Sequence, residues 1–216
     1  MTNVHVLSLV SYKILPAQMG GQKGVALFNQ YLAAEVPLTC FSVKDNNPSL
    51  AKDYELFNII SNSKFRYINV LLFFKAKRII KEKKITHLII EHPYWGWLGI
   101  LLKWSCGITL IVHSHNIESL RFKSTGKWWW AILWHYEKIV HRNADINFFI
   151  HDDDKNYGIQ RFKLRELRCH TITYGIEINK SPSQDERMQM RKIIESKHRI
   201  QSQEKILLFN GTLHYP

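Results

Sequence analysis

Short apolar runs rich in valine, isoleucine and leucine alternate along this chain with longer stretches in which apolar residues recur every three or four positions. The short runs, at 4–10, 38–43, 86–90, 109–112, 145–150 and 170–173, read as strands, and 205–210 reads as a final one. The longer stretches predict helices at 24–34, 65–84, 95–104, 127–143 and 184–197, with another beginning at 151–157. Residues 49–63, after the turn chemistry of Asp45-Asn46-Asn47-Pro48, are expected to be less ordered. Strand and helix in alternation predict right-handed βαβ crossovers. The fold class is therefore α/β, a doubly wound parallel sheet with helices on both faces.

Composition changes this picture mainly through charge. A chain of 216 residues with 45% apolar content can bury a sizeable core in one or two domains. Its 30 basic and 18 acidic side chains give a formal net charge of +12, which favours anionic ligands, nucleic acid or acidic lipid headgroups. Much of that charge lies in 64–84. There Lys64, Arg66, Lys75, Lys77, Arg78, Lys81, Lys83 and Lys84 face only Glu82, interleaved with Phe65, Leu72, Phe73 and Phe74. Such a helix either lies on a membrane surface or presents a solvated face above a core. A nucleic-acid partner is not expected, because no recognition motif accompanies the charge. Cys40, Cys106 and Cys169 are widely spaced and form no CxxC pair, which fits reduced thiols in the cytosol. The first ten residues lack the length and basic flank of a signal peptide, and the best apolar run, 94–102, is too short to span a bilayer. The chain is expected to be soluble or bound at a membrane surface.

Candidate chemistry gathers at strand ends, the edge where parallel sheets bind ligands. The run from Thr109 closes in His113, Ser114, His115, Asn116 and Glu118. Alternation along an extended backbone puts His113 and His115 on one face and Ser114 on the other, and residues 116–119 can cap the element that follows. This cluster fits a carbohydrate site, although each residue singly fits a hydrogen-bonded core or loop group equally well. Glu91-His92-Pro93-Tyr94 brings a carboxylate, an imidazole and a phenol to the same edge. Glu91, His92, His113, Asn116 and Glu118 are thus candidate substrate-binding residues, able to bond sugar hydroxyls or move protons. A metal is not expected, for want of a ligand spacing.

Met19-Gly20-Gly21-Gln22-Lys23-Gly24 falls between the first strand and the first helix, where backbone amides and the helix dipole can hold a phosphate or diphosphate. The alternative is that these glycines only reverse the chain. The spacing matches neither the dinucleotide fingerprint nor the lysine-threonine phosphate loop, which disfavours nicotinamide and triphosphate chemistry. Trp128, Trp129 and Trp130 cannot all face one core, so one or two indoles are expected at the surface. Asp152-Asp153-Asp154 reads as a solvated helix start.

Taken in order, Gly20-Gly21, the run from His115-Asn116-Ile117-Glu118 to Phe122, Lys127-Trp128-Trp129-Trp130, Tyr136-Glu137 with Asp145, Phe148-Phe149-Ile150 and Tyr174-Gly175-Ile176 resemble the amino-terminal domain of group 1 (family four, GT-B fold) glycosyltransferases. Phe209-Asn210-Gly211-Thr212 looks like the first strand of that family's carboxyl-terminal domain. The resemblance implies two Rossmann-like domains across a cleft, the first mainly holding acceptor and the second a nucleotide-activated sugar. It divides the chain into a Rossmann-like acceptor-side domain at 1–178, an interdomain segment at 179–204 and the start of a donor-binding domain at 205–216.

The implied chemistry moves a glycosyl group from a nucleotide sugar to a hydroxyl acceptor, a glycan or lipid-linked sugar in polysaccharide or glycolipid assembly. It is usually retaining and needs no metal or other cofactor. By position, Gly20 and Gly21 would approach the donor diphosphate. His115, the candidate catalytic residue, would lie near the transferred sugar or acceptor, positioning or polarising it. The family's paired-glutamate motif has no match here, so this chain alone is expected to be inactive. The implied location is cytoplasmic, extending to the inner face of the membrane. Two other classes compete: a non-enzymatic basic module for a membrane surface or nucleic acid, and a Rossmann oxidoreductase, disfavoured by the glycine spacing and by the lack of an acidic ribose-binding residue after the second strand.

Overall fold

The apolar runs pair into one parallel sheet of seven strands: β1 (Val6–Leu9), β2 (Leu38–Val43), β3 (Glu55–Ile60), β4 (His87–Glu91), β5 (Thr109–Ser114), β6 (Ile146–Phe149) and β7 (Cys169–Thr171). The computed structural model describes residues 4–175 and 181–207. The strand order is β3-β2-β1-β4-β5-β6-β7, so successive crossovers run outward from β1 in one direction and from β4 in the other. The junction of β1 and β4 is the switch point at which such sheets open a crevice.

Six helices accompany the sheet: α1 (Gly20–Glu35), α2 (Leu71–Glu82), α3 (Gly96–Cys106), α4 (Glu118–Ser124), α5 (Trp130–Asn143) and α6 (Asp152–Tyr157). Leu7, Leu9, Leu88, Ile90, Leu110 and Val112 send their side chains to one face, against Leu72 and Ile80 of α2, Leu98 and Leu102 of α3 and Val140 of α5. Val6, Val10, Cys40, Ile89 and Ile111 face the other way, where Val25, Phe28 and Leu32 of α1 cover them. Burying each such side chain contributes about 1.5–3 kcal/mol, which is why continuous apolar runs become central strands.

The parallel, doubly covered sheet matches the sequence-based expectation, and four local features differ from it, one being the helix predicted at 65–84, which begins only at Leu71 after a 3₁₀ turn at Lys64–Ile68. Residues 49–63 are not disordered, because β3 occupies the sheet edge beside β2. An edge strand is paired on one side only, so Glu55 and Asn58 are tolerated there and mask the apolar Leu56 and Ile60. The helix predicted at 24–34 starts four residues earlier, so Gly20 and Gly21 form its first turn. The helix predicted at 127–143 begins at Trp130, and a separate α4 precedes it. Gly126, at φ 69°, makes the left-handed turn between them. Trp128 is exposed, while Trp129 packs on Phe122 and the Trp134 indole N–H donates to the Tyr157 hydroxyl.

The chain divides into two compact units, Met1–Gly175 and Ile176–Pro216. In the second, α7 (Gln184–His198) begins with a reciprocal cap in which the Ser183 hydroxyl accepts the Glu186 N–H and the Glu186 carboxylate accepts the Ser183 N–H. Of the strand expected at 205–210, residues 205–207 are irregular and the remainder lies outside the described residues.

Candidate functional site

A cleft of about 610 Å³ opens at the carboxyl ends of β1, β4 and β5. Its floor comes from the loop after β1, with Ser11 and Tyr12, and from the first turn of α1, with Met19, Gly21 and Gln22. The Gln22 carboxamide oxygen accepts the N–H groups of Gln18 and Met19, which pins the entry to the helix. A Cβ added at Gly20 or Gly21 would meet nothing within 4 Å, and neither glycine has a positive φ. These glycines therefore are not required for chain reversal. They leave the first turn of the helix free of side chains at two positions, where the backbone N–H groups of Gly20 and Gly21, without a partner among the described residues, and the positive end of the dipole attract anions. Gly24 does something else: a Cβ there would lie 2.5 Å from the Tyr174 ring, so its hydrogen makes room for that ring.

Behind the cleft wall sits a carboxylate joined to two imidazoles. Register places Glu91 of β4 beside His113 of β5, and His115 follows two residues on. Glu91 accepts from His113 Nδ1 at 3.1 Å and from His115 Nε2 at 2.7 Å, with all three side chains buried. The Tyr174 hydroxyl then donates to His115 Nδ1 at 2.6 Å, which fixes the His115 tautomer with its proton on Nε2. Burial alone would raise the Glu91 carboxyl, but the two imidazoles hold it well below the usual carboxylate range. Burial pushes His115 down, against the pull of Glu91. His115 is thus a neutral, fully bonded ring, oriented rather than free.

The three ligand-capable atoms of Glu91, His113 and His115 lie within 4.8 Å of one another, a juxtaposition that sequence spacing does not reveal. In this arrangement both imidazoles donate to the carboxylate. His113 Nε2 has no partner among the described residues. That ring faces Phe28 at 4.8 Å and lines an apolar slot of about 300 Å³ between α1 and residues 172–175.

A second carboxylate organises the opposite wall. Glu118, in the first turn of α4, accepts from the Tyr94 hydroxyl and from Arg121 Nε at 2.9 Å, and His92 Nδ1 lies 3.2 Å away. Burial favours its neutral form, yet His92, Tyr94 and Arg121 together bring its carboxyl down to about 2. Burial and the adjacent Glu118 push the Tyr94 phenol well above its ordinary range. His92 holds φ 66° and ψ 156°, a conformation that only glycine adopts readily, at a cost of about 1–3 kcal/mol. The strain turns the chain after β4 so that His92 and Tyr94 both reach the cleft. Behind this wall, buried Glu137 of α5 accepts the backbone N–H groups of Glu118 and Ser119, each at 2.8 Å.

Of the residues chosen from sequence, Gly21, His92, His115, Asn116 and Glu118 line the cleft directly. Glu91 supports His115 from within the core, and His113 turns toward the apolar slot, so these two do not contact cleft contents. Tyr12, Arg121 and Tyr174 were not selected, yet each borders the cleft. Arg121 carried a signal, since it lies three residues after Glu118 on one helix face. Tyr174 stood out only as part of the Tyr174-Gly175-Ile176 turn, and Tyr12 only by its place after a strand. In the described residues no helix is long and apolar enough to cross a membrane.

The family model described as Glycosyltransferase Family 4 matches residues 20–180, more than half of the chain. No curated protein matches. Among solved structures, a glycosyltransferase from Rickettsia africae is similar with a TM-score of 0.59 and 15% identity, over 94% of this chain and 51% of that one. Anabaena HepE, in complex with UDP, gives a TM-score of 0.63 and 13% identity over 88% and 50%. Sucrose-phosphate synthase from Thermosynechococcus elongatus gives 0.62 and 14% over 78% and 48%. At these identities the likeness is one of fold, and the chain spans about half the length of each of these structures.

Proposed function

We propose, because the chain belongs to Glycosyltransferase Family 4, that it is the acceptor-side half of a GT-B enzyme that moves a sugar from a nucleotide sugar to a hydroxyl acceptor. The observation that carries this reading is the convergence, in one cleft, of the bare α1 terminus with the fixed imidazole of His115. Loss of a nucleotide diphosphate from a sugar builds negative charge on the leaving group and positive charge on the sugar. Oriented dipoles meet that demand without reorganising during the reaction. The N–H groups around Gly20 and Gly21 would hold the diphosphate, while the Arg121 guanidinium is taken up by Glu118 on the other wall. The Anabaena structure with UDP, which shares this fold, supports a uridine-type diphosphate as the first ligand to try.

His115 serves as a positioning and polarising group. Glu91 and Tyr174 occupy both its nitrogens, so the ring reaches ligand through C–H edges and its local dipole, or through Nδ1 once Tyr174 moves aside. Glu118 stays ionised and cannot supply a proton. Together with Asn116 it accepts or orders acceptor hydroxyls. A glycan or lipid-linked sugar at the cytoplasmic face of a membrane is the acceptor class we assign, with retention at the transferred carbon and no metal.

The test is transfer and nucleotide-sugar hydrolysis by the full-length gene product, with His115→Ala as comparison. Loss of one preorganised electrostatic partner is expected to lower turnover by about a hundredfold or more. Unchanged turnover would remove the role given to His115, and absence of any transfer by the wild type, across a panel of nucleotide sugars, would remove the reading.

A further inference from the structure

Next to the cleft the chain exposes apolar side chains that its own core does not use. Phe65, Ile68, Val70, Leu71 and Phe74 are each between 60% and 75% exposed. Single exposed apolar residues are ordinary, whereas five within ten positions mark a surface with a partner. Helix α2 buries Leu72, Ala76 and Ile80 at four-residue spacing, so Leu71, Phe74, Arg78 and Lys81 stand on its outer face. That face is apolar at its first turn and cationic beyond it. Of the eight lysines and arginines in 64–84, only Arg78 and Lys83 pair with carboxylates among the described residues, those of Glu82 and Glu55.

The apolar end is fixed to the cleft. The Trp97 indole N–H donates to the Tyr67 carbonyl at 2.8 Å, and the Tyr67 ring, packed on Tyr94, lines the cleft itself. Apolar tips beside cations, most of them without a carboxylate partner among the described residues, complement one surface chemistry, hydrocarbon under a layer of anionic headgroups. We propose that this face docks on an anionic lipid bilayer, with Phe65, Ile68, Leu71 and Phe74 in the headgroup boundary and Lys75, Arg78 and Lys81 over the phosphates. The cleft then opens at the bilayer surface and takes an acceptor hydroxyl carried by a lipid. Only this last step rests on the transferase reading.

Vesicle flotation of the 216-residue chain tests the docking, using phosphatidylcholine alone and phosphatidylcholine mixed with phosphatidylglycerol. Binding to the mixed vesicles is expected, with little to the neutral ones. Lys75→Gln with Lys81→Gln should weaken it roughly thirty-fold, since each cation contributes to the attraction of an anionic surface. Phe65→Ser, Leu71→Ser and Phe74→Ser together should abolish it, and Trp128→Ser, in the turn before α5, with Ile132→Ser, exposed on α5, should leave it unchanged. Circular dichroism confirms folding, which the exposure of every changed residue favours. Equal binding to neutral vesicles, no binding, or indifference to the α2 changes overturns the proposal. So does a wild-type dimer that the triple variant dissolves, which would make this face a self-contact. In the full-length protein the triple variant should keep transfer to a short soluble acceptor and lose it to a lipid-borne one. Flotation without any transfer would refute the enzyme reading while leaving the docking intact.

Discussion

Replacing Glu91 with glutamine keeps the volume of the side chain and removes the charge that ties β4 to β5. Two hydrogen bonds from imidazole N–H groups to a carboxylate, at 3.1 and 2.7 Å, contribute about 1.5–3 kcal/mol each. Relief of carboxylate desolvation offsets part of this sum. Against that, the glutamine amide turns an N–H toward one imidazole that is itself a donor. The net expectation is a loss of about 2–3 kcal/mol at neutral pH, read by urea unfolding followed through tryptophan fluorescence. The pH dependence sharpens the test. The Glu91 carboxyl is held below its ordinary 4.5, so its contribution is complete above that value and is lost as pH falls below it. The two proteins should therefore converge in stability on acidification. Equal stability at neutral pH, or a gap that persists into acid, would refute the account of Glu91 as an ionised anchor.

Glycine replacements separate structural from ligand roles: Gly20→Ala and Gly21→Ala should raise stability by up to about 1 kcal/mol each in a helical turn, yet lower affinity for a nucleotide diphosphate measured by calorimetry. Gly24→Ala should instead lower stability by about 1–3 kcal/mol, because its Cβ meets the Tyr174 ring at 2.5 Å, and the His115 ring resonances in NMR should shift as Tyr174 is expelled. His141 is buried between Phe149 and Phe162, and burial brings it from 6.5 to about 4. Stability should fall by about 3 kcal/mol as pH drops from the first value to the second, since the unfolded chain takes up the proton first. In His141→Gln that part of the acid slope in thermal melts should be absent. Glu137→Ala should cost about 1–2 kcal/mol by uncapping α4, with Glu137→Gln intermediate in denaturant titrations.

The central strands were legible because four to six apolar residues in sequence have one economical fate in a sheet covered on both faces. Edge strand β3 was not, since half-paired positions accept Glu55 and Asn58 and blur the period. The histidines at the end of β5 were found from their chemistry. Which of them meets the cleft was not readable: β-strand alternation puts His113 and His115 on one face, but Glu91 lies between them and turns each ring toward a different cavity. Gly20 and Gly21 were read as a loop because two adjacent glycines discourage helix, and the Gln22 cap reverses that preference. Tyr174 reaches His115 from 59 residues away, a contact that no local pattern encodes.

The Glu137 cap on α4 also decides where an anion can sit. Helices α1 and α4 both begin at the cleft, so a phosphate entering it meets two sockets of like polarity. In α4 the carboxyl group of Glu137 already occupies the N–H groups of Glu118 and Ser119, and the ionised Glu118 side chain stands in front, held by Arg121. One socket is plugged and the other is bare. On the proposed function, a diphosphate would be admitted at α1 and excluded from the N–H groups of α4, and the sugar attached to it would be aligned across the cleft in one direction. By this arrangement the chain would encode the polarity of its ligand without using a single base-specific or sugar-specific contact.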